Sequence, residues 1–251
     1  NKEGRLFGIL NGCNYKNINV ESKGHIYRNT VKALFRWLQE ESKKYKADFL
    51  AHTGEKIMKY VGNRPKFIVS SVARLTEQKF YFFKRSPEAF EEILKKLKKV
   101  DGIFMLLGTG APEYEELFRE MSYRHDNFVF TNGQSESLID SMYLESDLYF
   151  MPSLFEPCGI SQMLSMRNGN PCLVHHTGGL IDTVKHMKTG FGFSGATYDE
   201  KITNMLVAFD TALDLFMNDK PAWQKMQQAA KKARFTWKKS VDEYYKVLYN
   251  M

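Results

Sequence analysis

At 251 residues and 43% apolar content, the chain has material for one large core or two small ones, which excludes a disordered or low-complexity polymer. Its longest apolar runs are strand-sized, such as Ile103 to Leu107, and Asn1 to Arg5 carry no apolar region, so neither a transmembrane helix nor a signal peptide is expected. The formal charge of +7 comes largely from Lys43-Lys44, Lys95 to Lys99 and Lys231 to Lys239, clusters on predicted helix faces without interleaved aromatics, which read as solvated faces rather than a nucleic-acid surface.

In chain order, Leu6 to Gly12 is an apolar run closed by Asn-Gly, which predicts a short strand or extended lead-in ending in a tight turn. Val31, Leu34, Phe35 and Leu38 recur at three- and four-residue steps and predict a helix from Tyr27 to about Lys44; a second should cover Ala47 to Val61. Lys66 to Val72 is a strand, and Ala73 to Lys79 follows it. The helix near Pro87 to Val100 puts Phe90, Ile93, Leu94 and Leu97 on one face and the ion pairs Glu91-Lys95 and Glu92-Lys96 on the other. Ile103 to Leu107 is a buried strand, followed by a turn at Gly108 to Pro112 and a helix carrying Tyr114, Leu117, Phe118 and Met121 inward.

Asn127 to Phe130 reads as a strand and Ser135 to Leu144 as a helix. Leu148 to Met151 and Cys172 to His175 are strands, Phe191 to Phe193 a short extended piece, and Asp199 to Met217 a helix. Helices at Pro221 to Arg234 and Lys238 to Leu248 close the chain. This alternation predicts a single α/β domain, a Rossmann-like doubly wound parallel sheet with helices on both faces and right-handed crossovers. Ligands of such a sheet bind at the carboxyl ends of its strands, which makes Asp147 to Val184, with two strand-end turns, the organising stretch.

Arg74 and Lys79 stand in one strand-end loop, where a planar fork and a mobile point charge can clamp a diphosphate; on spacing alone they are also ordinary surface charges. Thr177-Gly178-Gly179 precedes a helix containing Asp182. Thr177 can cap it and the glycines can admit an anion, or the three form a plain tight turn. Glu156, before Pro157, Cys158 and Gly159, can bond sugar hydroxyls or a cationic transition state, or simply start a helix. Cys158 reads as a packed small side chain, and Cys13, Cys158 and Cys172 lack zinc spacing and fit reduced thiols. Neighbouring His175 and His176 point to opposite faces and cannot share a metal; His175 is read as a core or hydrogen-bonded residue and His176 as facing the crevice. Gly108-Thr109-Gly110 lacks the third glycine of a dinucleotide fingerprint.

Five segments in order carry a resemblance: GILNG at Gly8 to Gly12, ARLTEQK at Ala73 to Lys79, LLGTGAPEYEELF at Leu106 to Phe118, MPSLFEPCGISQ at Met151 to Gln162 and HTGGLIDTV at His176 to Val184. Together they make the chain, from about residue 6 onward, resemble the C-terminal half of bacterial glycogen synthase and plant starch synthase, the ADP-glucose-dependent glucosyltransferases of two-domain GT-B architecture. The resemblance implies that residues 1-251 form the donor-binding domain, with about 1-24 a hinge-side lead-in and about 235-251 a tail helix that returns to an N-terminal half this chain does not contain, exposing Trp237, Tyr244 and Leu248.

By the same resemblance, Arg74 and Lys79 grip the nucleotide-sugar phosphates and support the leaving diphosphate, and Glu156 contacts the donor glucose. Cys158, Gly159, Thr177, Gly178 and Gly179 line the donor side, and Asn11 lies near the hinge and sugar site. The implied reaction transfers glucose from ADP-glucose to the 4-hydroxyl of an α-1,4-glucan with retention, without metal or other cofactor, in a bacterial cytoplasm or, for a plant-type source, the plastid stroma. The chain departs from the family at Phe80, where Gly is usual, at His175 and His176, where bacterial members have Arg, and at Leu164; Gln134 falls near the adenine-stacking position. The alternatives are another nucleotide-sugar donor, a degenerate module binding glucan or a partner, and a basic nucleic-acid-binding domain. An isolated donor half should bind nucleotide sugar weakly and synthesise no glucan, since closure onto a second domain is what excludes water and aligns donor with acceptor.

Overall fold

The computed structural model describes residues 7–15, 23–41 and 47–249. Six parallel strands form one sheet: β1 (Phe67–Val72), β2 (Gly102–Gly108), β3 (Phe128–Asn132), β4 (Leu148–Met151), β5 (Cys172–His175) and β6 (Gly190–Phe193), in the order β3-β2-β1-β4-β5-β6. This is the doubly wound arrangement expected from the alternation of strands and helices, and β6, read from sequence only as an extended piece, is its edge strand, in register with β5 through Cys172 to His175. Two helices precede the sheet, α1 (Lys23–Glu41) and α2 (Ala47–Lys59). Between the strands lie α3 (Glu77–Arg85), α4 (Pro87–Lys99), α5 (Pro112–Arg124), α6 (Glu136–Glu145), α7 (Ser161–Arg167) and α8 (Gly179–Thr183), and α9 (Tyr198–Asn218), α10 (Lys220–Lys232) and α11 (Trp237–Leu248) close the chain.

Both sheet faces are covered, so the strands are nearly continuous apolar runs. Along β4, Leu148 and Phe150 join the larger core, which also holds the aromatic ladder Phe83, Phe90, Phe104, Phe118 and Phe128; Tyr149 and Met151 point to the smaller core under α7 and α8. Phe83 and Phe90 stack at 4.5 Å between centroids, and Phe90 meets Phe104 edge-on at 5.1 Å. The predicted pairs on α4 form, Lys96 to Glu92 at 2.8 Å and Lys95 to Glu91 at 3.7 Å.

The lead-in differs from its expectation. Leu6 and Lys43-Lys44 lie outside the described residues, and residues 7–15 form no strand; they are held by the far end of the chain. Cys13 N–H donates to Phe235 O at 2.8 Å, Ser240 Oγ–H to Leu10 O at 2.6 Å, and Phe235 N–H to the Tyr15 hydroxyl at 2.8 Å. Gly12 serves this approach rather than a turn, because a Cβ there would stand 2.2 Å from Trp237 N. On α11, Trp237, Val241, Tyr244, Tyr245 and Leu248 are exposed.

Candidate functional site

The site begins with a gap in the sheet. β1 pairs with β2 along its whole length, from Phe67↔Gly102 to Val72↔Leu107, but with β4 only through Val69↔Leu148 and Ser70↔Tyr149. Beyond Ser70 the two strands part, and the Tyr149 hydroxyl bridges the opening by donating to Val72 O at 2.9 Å and accepting from Val72 N–H at 3.3 Å. The chain winds from β1 toward β3 on one side and from β4 toward β6 on the other, so the loops leaving β1 and β4 diverge and a crevice opens between them.

The loop after β1 supplies Arg74 and Lys79. Arg74 is exposed and makes no hydrogen bond or ion pair among the described residues. With Val72 and Ala73 it lines two adjoining cavities: one of about 240 Å³, shared with Lys79, Tyr149, Ser153 and Ser161, and one of about 210 Å³, shared with Gly108, Thr109, Gly133 and Gln134. Lys79 lies in the first turn of α3 and pairs across the crevice with the Glu156 carboxylate. Both side chains are largely shielded from water, and the pair holds the β1 and β4 loops together across the crevice. Phe80 takes φ −129° and ψ 24°, a kink within α3 that needs no glycine, and its ring is buried edge-on against Phe118 at 5.0 Å. The departure at Phe80 is therefore a core substitution that leaves Lys79 free to reach Glu156.

Thr177, Gly178 and Gly179 act differently from the expected cap. Gly178, not Thr177, stands at the N-cap of α8, with φ 49° and ψ −137°, a backbone conformation suited to glycine. A Cβ on Gly178 would lie 2.1 Å from Glu156 O, and one on Gly179 2.6 Å from Cys158 Cα. Gly179 N–H donates to Glu156 O at 3.0 Å. The two glycines thus let the β5 loop lie directly on the β4 loop and fix the backbone of Glu156, and one of the N–H groups read as an anion cradle is already spent on that task.

Cys158 and Gly159 belong to the same junction. Asn11 N–H points at Cys158 Sγ at 3.3 Å, bringing the lead-in to the crevice, and burial pushes the thiol pKa up, so Cys158 packs and does not ionise. Gly159 has φ 73°, and the buried Gln162 amide donates to Cys158 O at 3.0 Å, Gly159 O at 3.1 Å and Thr183 Oγ1 at 3.1 Å. Sequence reasoning assigned Gln162 no role; its place in α7, four residues after Cys158, was the available signal.

The histidines stay out of the crevice. His175 is buried, its Nδ1 3.0 Å from Ser153 O and its ring stacked on Phe193, in accord with the core reading. His176 does not face the ligand side: its Nε2 lies 3.1 Å from Val184 O and its ring occupies the space above Gly192, where a Cβ would come within 2.0 Å of Cε1. Burial lowers both pKa values, so both rings are neutral at neutral pH and neither replaces an arginine charge. Gln134 lines the smaller cavity, and Glu115 ties the neighbouring loops after β2 and β3 together by accepting from Thr109 Oγ1 at 2.6 Å, Gly110 N–H at 2.9 Å and Asn132 Nδ2 at 3.0 Å.

Residues 54–234 match the family described as glycosyl transferases group 1. The chain is 34% identical over 251 aligned residues to a glycogen synthase of Thermosipho africanus, covering 96% of this chain and 47% of that protein, and 34% identical to a glycogen synthase of Lachnospira eligens, covering 98% and 49%. It therefore spans about half the length of the curated relatives it matches. Among solved structures, the catalytic domain of starch synthase IV from Arabidopsis thaliana bound to ADP and acarbose superposes with a TM-score of 0.65 at 24% identity over 80% of this chain and 43% of that one. Anabaena HepE in complex with UDP-glucose gives 0.60 at 16% identity over 80% and 53%, respectively. These two likenesses concern the fold.

Proposed function

Because the chain belongs to the glycosyl transferases group 1, we propose that it is the donor-binding half of a glucan synthase, taking glucose from ADP-glucose and delivering it, with retention, to the 4-hydroxyl end of an α-1,4-glucan. The observation that carries this reading is the Lys79–Glu156 pair beside an unpaired Arg74 at the gap between β1 and β4. A departing diphosphate needs its charge neutralised in a partly dry site, and Arg74 offers a bidentate fork while Lys79 swings from the carboxylate to the phosphates. That swing releases the Glu156 carboxylate to accept hydrogen bonds from the donor sugar. Gly178 and Gly179 hold the backbone of this carboxylate, Asn11, Cys158, Gly159 and Thr177 line the donor side around it, and the cavity by Gln134 takes the base. No metal is required, because two cations face the leaving group.

Acceptor contacts belong to a second half, as the length of the relatives suggests, with α11 returning to it. Titration with ADP should give binding that Arg74→Ala and Lys79→Ala each weaken by about tenfold or more, the scale of a charged hydrogen bond. A panel of ADP-, UDP- and GDP-glucose reads the donor preference. Glycogen incubated with ADP-glucose should gain no label from the 251-residue chain alone. Label incorporation, or ADP affinity unchanged in both variants, would overturn the assignment.

A further inference from the structure

On the side of α3 away from the crevice lies a groove of about 480 Å³, twice the larger donor-side cavity and within the range of about 300–1,000 Å³ typical of small-ligand sites. Its lining follows from helical spacing. Glu77, Tyr81, Lys84 and Arg85 recur at three- and four-residue steps on one face of α3, while Lys79 leaves from the other, and the opposite wall is the start of α5, with Glu113 and Tyr114.

Two features define what it can hold. The first is a balance of charge. Lys84 is 3.4 Å from Glu113 and sits 4.6 Å above the Tyr114 ring, and Arg85 bonds the Tyr81 hydroxyl at 2.6 Å and lies 4.1 Å above the Tyr198 ring. The two cations are engaged and the two carboxylates offset them, so neither an anion nor a cation gains net attraction. The second is unused hydrogen-bonding capacity. Tyr114 is 97% buried, 3% of its surface remaining exposed, yet its hydroxyl has no partner among the described residues, and Glu77 has none either. Burial and the nearby Glu77 and Glu113 charges push the Tyr114 pKa up to about 12, so the phenol stays a donor. A phenol donor at the edge of a buried ring, a free carboxylate and the half-buried Tyr81 ring ask for a neutral ligand with hydroxyls that both donate and accept and with an apolar face to lay on an aromatic.

We propose that the groove between α3 and α5 is an oligosaccharide-binding site that holds a segment of α-glucan apart from the donor crevice, with Tyr81 beneath a sugar ring, Tyr114 donating to it and Glu77 accepting from its hydroxyls. That the sugar is an α-glucan rests on the synthase reading above; that it is neutral and polyhydroxylated rests on the groove. A second grip on the polymer would keep the domain on the glucan between transfers, a gain by local concentration rather than by chemistry.

The test is calorimetric titration of the chain with maltoheptaose, alone and with saturating ADP. Tyr114→Phe and Glu77→Gln, which keep the shape of their side chains, should each weaken maltoheptaose about fivefold, and Tyr81→Ala about tenfold. Saturating ADP and Lys79→Ala should leave maltoheptaose affinity as it is. The proposal is overturned by no heat at about 20 mM maltoheptaose, by unchanged affinity in Tyr114→Phe and Glu77→Gln, by competition from ADP, or by preference for cellohexaose or a sulfated oligosaccharide. ADP titrated into the same samples separates the two readings: normal ADP binding with no maltoheptaose binding removes the groove alone.

Discussion

The two ends of the β1–β4 junction are built on opposite terms. At the amino end, Arg64 reaches Asp147 at 2.8 Å and pairs with Glu145, and Asp147 also accepts from Ile68 N–H at 3.0 Å while Asp147 N–H donates to Ile68 O at 2.8 Å. At the carboxyl end the strands part after two register pairs, and one ion pair, Lys79 to Glu156, spans the opening. Backbone groups anchor the first cluster, so it cannot be exchanged without leaving buried charge behind. The second rests on one flexible lysine stem, with no backbone group tying it down. Charge is thus fixed to the backbone at one end of the junction and held only by side chains at the other.

The largest effect is expected at Arg64. Arg64→Leu removes the guanidinium that bonds both Glu145 and Asp147 and should cost about 3 kcal/mol in urea unfolding. Gly178→Ala places a Cβ against Glu156 O in a left-handed conformation; a loss of about 3 kcal/mol is expected, together with weaker ADP binding, because the β4 loop must move. Lys56 sharpens the contrast: it is buried and donates to Ser122 Oγ at 3.0 Å, His125 O at 2.8 Å and Phe128 O at 2.9 Å, at the amino end of β3. Burial lowers its pKa from 10.5 to about 7, so between those values the unfolded chain binds the extra proton and stability should rise with pH, by at most the free energy of the shift. Lys56→Met should abolish that slope and, by leaving carbonyls unpaired, cost about 2 kcal/mol near neutrality. The smallest effect is expected from the histidines: with the pKa values of His175 and His176 both lowered, ADP affinity should be flat from pH 7 to about 8. A drop across that interval would mean that one of the rings faces the ligand after all.

Much of this architecture was legible in residue order. The strands Leu148 to Met151 and Cys172 to His175, and the faces of α4 and α9, follow from apolar period and turn residues because those elements pack as their local pattern dictates. α3 was not legible: Phe80, Phe82 and Phe83 are all buried, so the aromatic run has no polar alternation to mark a helix, and the kink at Phe80 breaks its period. The charged members of the candidate site could be named from Arg74, Lys79 and Glu156, but not that Lys79 and Glu156 pair across 77 positions. The double glycine pointed to a close approach without saying of what; the partner is the β4 loop. His176 was misplaced because its direction depends on the void above Gly192, which only the packed structure creates.

One further property follows from the bonds between residues 10–15 and 233–240. They seat the lead-in against the start of α11, so the gap between the two ends of the described chain is set chiefly by that 12-residue helix, about 18 Å long. A short linker across that gap, with new ends cut in an exposed loop, would give a circular permutant expected to keep the same sheet.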